Sequence, residues 1–228
     1  YDSAGGVVGG NLIRRLRRSL IRRVIARQVG VARRRALQIW VANPEHERCG
    51  PQYRLVANAA PFVPERADLV PRPLRFAFFA DMRYRPNIDA LRWYLREVHP
   101  YLVAAAPHAE LVVCGHFAPG GAENPEWQRP GLSIAGFVPD ISEVYHSCAA
   151  SIAPIISGSG SSVKVMESLA AGVPCIGTPM AYRGYETAVR AALPELIADD
   201  GPAFAARMLA LGVAPVKGGE LVARCRTF

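Results

Sequence analysis

From Leu74 onward, apolar runs of strand length alternate with stretches whose apolar residues recur every three or four positions. LRFAFFA is a continuous apolar run, the pattern of a strand buried on both faces. Asn87 can cap a helix IDALRWYLREVHPYL, whose stripe is Ile88, Leu91, Leu95, Val98 and Leu102. ELVVC, LSIAGF, ASIAPII and VPCIGT read as further strands and ELIADD as a sixth. ISEVYHSCA, VKVMESLAA, ETAVRAAL and AFAARMLALG read as helices. Parallel neighbours need helical crossovers, so this alternation predicts an α/β fold with a doubly wound parallel sheet.

Upstream the pattern changes. Residues 11–35 hold ten arginines and no acidic residue, with Leu12, Leu16, Leu20 and Val24 on one helical stripe. Such a helix packs its apolar side on protein or docks on anionic lipid. Nucleic acid is disfavoured, because no aromatic residues are interleaved to stack on bases. Two short apolar stretches follow, Ala36–Ala42 and Arg54–Ala60. Then PFVPERADLVPRP carries four prolines in thirteen residues and reads as a connector. The organisation is therefore 1–60, a connector at 61–73, a main domain at 74–212 and an irregular tail at 213–228.

Composition adds three constraints. Half of the 228 residues are apolar and a fifth are charged, so a substantial core can be buried. No apolar run reaches the roughly 18 residues of a membrane span. The chain opens on Tyr1 without a secretory pattern and reads as an internal or mature fragment. The net charge of +8 is carried by arginine, the only lysines being Lys164 and Lys217. The five cysteines include no Cys-x-x-Cys pair and read as buried free thiols in a reducing compartment, with no zinc site or disulfide framework.

In a doubly wound sheet, ligands bind beyond the carboxyl ends of the strands. The loop after the fourth strand, ISGSGSSVKVMESLAAGVP, sends Gly158 and Gly160 straight into a helix. Glycines let amides approach an anion, and a helix start adds unpaired N–H donors and partial positive charge. Lys164 and Glu167 lie three residues apart on that helix. The cation suits a diphosphate and the carboxylate suits a ribose diol. A plain serine-capped helix with a surface ion pair fits the same spacing. No Walker loop and no dinucleotide fingerprint are present.

Four segments in order resemble the GT-B glycosyltransferases of the family-four kind. ADMRYRPNIDAL is similar to the family's first loop and helix, ELVVCGH to its second strand end, and SIAGFVPDISEVYHSC to its Gly-Phe-Val-Pro-Asp segment. Residues Ala153–Thr178 are similar to its donor-binding core. The resemblance implies a Rossmann-like carboxyl-terminal GT-B domain at 74–212, with residues 1–60 the end of an incomplete, acceptor-side amino-terminal domain. It implies transfer of a hexosyl group from a nucleoside diphosphate sugar, UDP by default, to an acceptor hydroxyl on a glycan or lipid-linked acceptor. Retention of configuration and independence from metals and cofactors come with it.

By the same resemblance, Glu167 holds the ribose hydroxyls and Phe137 and Val138 meet the nucleobase. Gly158, Ser159, Gly160, Ser161 and Ser162 form the loop near the diphosphate and sugar. The family's other glutamate is here Ser159, and its arginine and lysine after the first strand are Asp81 and Pro86. The diphosphate charge then falls to Lys164, Arg83 or Arg85, with Lys164 favoured by its place in the first turn. Catalytic residues are not assignable. The histidines are poor bases, and His116 alone reaches the binding edge. These departures keep a non-catalytic or decayed nucleotide-sugar-binding module open, and less so a sugar-nucleotide epimerase. The location implied is cytoplasmic, with peripheral attachment at the inner membrane under the lipid reading of residues 11–29.

Overall fold

The structure is a computed structural model. It describes residues 68–158, 162–213 and 220–227, together with positions 19, 23–24, 26–28, 30–31, 36, 38–41, 50–55, 63 and 66. The chain divides into two compact units, one of residues 1–41 with 45–56 and one of residues 42–44 with 57–228.

In the first unit, β1 (Ile39–Val41) pairs in parallel with β2 (Tyr53–Leu55), Ile39 opposite Tyr53. The described residues of the arginine-rich stretch, at 19, 23–24, 26–28 and 30–31, are helical. Val24 and Val31 are exposed there. The remaining positions of the apolar stripe lie outside the described residues.

The second unit is built on β3 (Arg72–Phe79), β4 (Glu110–Cys114), β5 (Leu132–Gly136), β6 (Cys148–Ala153) and β7 (Cys175–Gly177). All pairings are parallel, in the order β5-β4-β3-β6-β7. The apolar run that predicts β3 sits at the centre, with Phe76, Ala77 and Phe78 fully buried. Each phenylalanine contributes about 1.5–3 kcal/mol by leaving water. Leu74, at φ 55°, lies where the pairing with β6 shifts register between Arg72 and Phe76.

Helices cover both faces, as parallel sheets require. On one side lie α1 (Arg85–Trp93), α2 (His99–Ala105) and, after the other helices in sequence, α6 (Gly201–Val213). On the other lie α3 (Ile141–Ser147) and α4 (Val163–Ala170), with α5 (Glu186–Ala192) beyond β7. A methyl at Gly212 of α6 would stand 2.7 Å from Phe76 Cζ, so the helix lies directly on the central strand. Phe79, of opposite parity, meets Tyr145 of α3 at 4.1 Å between ring centroids.

Three expectations change. Asn87 does not cap α1. The helix begins three residues earlier, at Arg85 after Tyr84, because Pro86 suits its first turn, and Asn87 turns inward. The helix is also interrupted by a π turn at Tyr94–Val98, where the chain absorbs the missing N–H of Pro100. ELIADD forms no strand, only a single parallel bridge from Ile197 to Gly177. The tail, which lacks a clear period and reads as irregular or as a displaced terminal helix, contains α7 (Glu220–Thr227), anchored by buried Val222 and Cys225 and by Arg224 on Glu195 at 2.8 Å. Four cysteines (Cys114, Cys148, Cys175 and Cys225) are free and buried, and Cys49 lies outside the described residues.

The ends of β3 and β4 are drawn together by Ala80 N–H to the Cys114 carbonyl (2.8 Å) and Met82 N–H to the His116 carbonyl (2.7 Å). Gly115 between them has φ 140°, and a Cβ there would stand 1.9 Å from the Ala80 oxygen. Gly115→Ala is therefore expected to cost about 1–3 kcal/mol of stability, read as a lower urea midpoint at unchanged slope.

Candidate functional site

The chain runs outward from β3 through β4 to β5, then returns to lay β6 on the other side of β3. The crevice beyond the carboxyl ends of β3 and β6 is the topological switch point, where open α/β sheets place their ligands.

A pocket of about 230 Å³ opens beside it. Ala80 and Asp81 come from the end of β3, Gly115 and His116 from β4, Phe137 and Val138 from β5, and Glu167 from α4. The His116 and Phe137 rings stack at 4.8 Å and 18°, leaving Phe137 63% exposed, a flat platform at the pocket mouth. Glu167 is half-buried, and burial raises its pKa above the usual carboxylate value. The buried Tyr145 hydroxyl donates to Glu167 Oε2 at 3.2 Å and fixes its position.

On the opposite wall Asp81 accepts from the backbone N–H of Arg83 at 3.0 Å, from Nε at 2.8 Å and from Nη2 at 2.7 Å. These bonds hold its carboxyl well below the usual range, so it is ionised throughout the neutral range. The Arg83 charge is thereby largely matched. Arg85 is bound to Asp89 at 2.8 Å, with its side chain 72% exposed. Neither arginine lines the pocket.

The start of α4 faces the crevice. Ser162 is its cap residue, yet its side chain makes no capping bond, so the simple serine-capped helix is not what forms. In the first turn the Val165 N–H donates to the Ser162 carbonyl at 3.0 Å, and the Val163 and Lys164 N–H groups lack an intrahelical partner by helix geometry. Gly158, at φ 132°, leads into this loop, and its carbonyl accepts from Arg183 Nη1 at 3.2 Å. Ser159, Gly160 and Ser161 lie outside the described residues.

Lys164 points inward from the first turn of α4. Its Nζ donates to Asn87 Oδ1 at 2.9 Å and stands 4.8 Å from the Phe78 ring centroid. Asn87 Nδ2 in turn donates to the Asp81 carbonyl at 2.9 Å. Burial lowers the ammonium from 10.5 to about 8. A second pocket, of about 410 Å³, lies at the ends of β6 and β7, with Trp93, Ile155, Thr178, Arg183 and Asp199 among its walls. Among the described residues, no group of three or more His, Cys, Asp or Glu side chains is arranged to hold a metal ion.

The structure thus brings Phe137, Val138 and Glu167 into one pocket and sets Gly158 and Ser162 at its neighbouring crevice. It places Lys164 behind that crevice, and Arg83 and Arg85 in ion pairs. Sequence reasoning missed Tyr145 and Arg183, and it read Asn87 as a cap. No local motif marks Tyr145, whose role depends on α3 and α4 lying side by side.

The family described as Glycosyl transferases group 1 matches residues 73–212. Comparison with curated proteins finds no match. Among solved structures, a point mutant of S. aureus TarM, in complex with Fondaparinux, alpha-GlcNAc-glycerol and UDP, aligns at TM-score 0.67 and 11% identity, over 86% of this chain and 41% of that one. The pneumococcal O-GlcNAc transferase GtfA, in complex with UDP and GlcNAc, aligns at 0.61 and 13%, over 84% and 41%. Sucrose-phosphate synthase from Thermosynechococcus elongatus aligns at 0.56 and 17%, over 82% and 52%. These likenesses are of fold, and the chain spans about two fifths of the length of the first two.

The lowered Lys164 pKa has a measurable sign. A group whose folded pKa lies below its unfolded value gives stability that is full above about 10.5 and is lost as pH falls through about 8. Lys164→Met removes this titration. Between pH 7 and pH 9 the wild-type chain is expected to gain about 1 kcal/mol on the variant in parallel urea titrations.

Proposed function

The chain belongs to the group 1 glycosyl transferases, and we propose that it binds a nucleoside diphosphate sugar along the carboxyl edge of its five-stranded sheet, for transfer of a hexosyl group to an acceptor hydroxyl. One observation carries this reading: a pocket with an aromatic platform and a fixed carboxylate opens beside the uncapped start of α4. The base rests against His116 and Phe137, near the Val138 backbone. The ribose diol donates two hydrogen bonds to Glu167, which Tyr145 keeps in place. The diphosphate runs toward the α4 terminus and Gly158, where N–H donors and the Lys164 charge beneath them oppose its negative charge.

Leaving-group charge on a nucleoside diphosphate is offset there by fixed dipoles and a buried cation, which supports transfer without a metal or other cofactor. Retention of configuration belongs to the same reading. UDP is the nucleotide we assign, in keeping with its presence in the TarM and GtfA complexes. The acceptor is a glycan or a lipid-linked glycan, as in polysaccharide or glycolipid synthesis, at the cytoplasmic side of the inner membrane. The ten arginines of residues 11–35 support attachment to an anionic leaflet.

Asp81 favours a second reading. A carboxylate on the wall of the pocket, already holding Arg83, repels an incoming diphosphate and fits a non-catalytic or decayed module. Calorimetric titration of UDP and GDP into the chain separates the two. A donor site binds one nucleotide selectively, and Glu167→Ala lowers its affinity at least tenfold, about 1.4 kcal/mol. A folded chain that binds neither nucleotide rejects the donor site and leaves a decayed remnant of the fold.

Attachment through residues 11–29 is checked by co-sedimentation with liposomes. Binding to phosphatidylserine-containing vesicles at low salt, lost at about 0.5 M salt and absent with neutral lipid, is the expected result.

A further inference from the structure

The Lys164 side chain is half-buried, and its ammonium turns inward onto a bond, within the described residues, to a neutral amide oxygen and not to a carboxylate. A charge so placed is costly, and a methionine of similar length would cover Phe78 without that cost. The geometry shows what the charge does. Asn87 is only 9% exposed, and its amide orientation is dictated from both sides. Only its oxygen can accept from Lys164 Nζ, and only its nitrogen can donate to the Asp81 carbonyl. That same carbonyl accepts the Tyr84 N–H at 3.1 Å and so closes the turn 81–84 between β3 and α1.

The chain Lys164–Asn87–Asp81 therefore ties the first turn of α4 to the turn after β3. These are the two walls of the crevice at the switch point. The walls also meet at Gly158, where an added Cβ would stand 3.7 Å from Pro86 Cβ and 3.9 Å from the Tyr84 hydroxyl. The Asp81 end of the tie carries a carboxylate that lines the nucleoside pocket, and the Lys164 end sits in the turn whose N–H groups face the crevice.

Resting on the donor reading above, we propose that Lys164 is a positioning residue for the diphosphate: through Asn87 it fixes the separation between the nucleoside pocket and the start of α4, without itself contacting the phosphates. A nucleoside diphosphate spans both walls and requires that separation. A nucleoside alone occupies only the pocket and does not.

The test is a double-mutant cycle with Lys164→Met, Asn87→Ala and the pair. UDP affinity is read by calorimetry, uridine binding by NMR shifts, and retention of fold by circular dichroism. Each single change is expected to weaken UDP at least tenfold while shifting uridine by less than threefold. The double variant is expected to be no more than about twofold weaker than Lys164→Met alone. A loss for Lys164→Met with Asn87→Ala unchanged, or additive losses, would mean that Lys164 grips the phosphate directly and would overturn the proposal. Equal losses for UDP and uridine would overturn it as well, showing a general defect of fold.

Amide hydrogen exchange on the chain without nucleotide keeps the two readings apart. Faster exchange at residues 81–84 and in the first turn of α4 in both single variants is expected. If the wild-type chain binds no UDP, the donor reading fails, and this exchange result alone decides the tie. Unchanged exchange at both places rejects it.

Discussion

A strand paired on both edges and packed on both faces leaves no place for a polar side chain, and β3 meets that condition over Phe76, Ala77 and Phe78. Because β4 lies on one side of it and β6 on the other, β3 is where the chain reverses its direction of growth across the sheet. The switch-point crevice is a consequence of that placement. Every group at the site hangs from it: Asp81 continues β3 directly, His116 is set by the Met82 N–H, and α4 descends from the neighbouring strand. The close approach of α6 at Gly212 packs the far face of the same strand, so the site rests on a fully buried floor.

On that floor the charges are arranged unlike a simple cationic cradle. Two arginines that sequence order places near the crevice are held by their own neighbours, Arg83 by Asp81 and Arg85 by Asp89. Both pairs are exposed at the surface, where ion pairs contribute little to stability. Their effect is to remove positive charge from the mouth of the site. Among the described residues, the favourable field for an anion comes from the open N-terminus of α4, the ammonium beneath it and Arg183, which donates to the Gly158 carbonyl. Field from within a low-dielectric wall is screened less by salt than field from surface arginines.

The alternation of runs from Leu74 to Gly212 was legible because buried parallel strands are nearly continuous in apolar residues and the helices between them are periodic. It yielded the doubly wound class and the helices on both faces. The pattern failed where local preference and tertiary contact disagree. Asn87 has a side chain suited to capping, but Pro86 sets the helix start and the buried amide finds better partners in Lys164 and Asp81. ELIADD has strand composition, yet it sits past a short β7 and supplies one bridge only. The tail shows no clear period, and α7 is held by Cys225, Val222 and the Arg224–Glu195 pair, contacts that spacing does not reveal.

The site was legible to a different degree. Glu167, Phe137 and Val138 are separated by some thirty residues in sequence, and a strand-by-strand reading puts them at one edge; the structure brings them into one pocket. Lys164 shows the limit of that logic. Helical spacing puts it one turn from Glu167, but spacing does not say which way a long flexible side chain turns. The direction is set by Asn87, 77 residues away, and by the open face of Phe78. A cation inside the wall stabilises an anion outside it with less competition from water, at the cost of burying a charge in the unliganded chain. That cost, incurred at the switch-point crevice, separates Lys164 from the paired surface arginines around it.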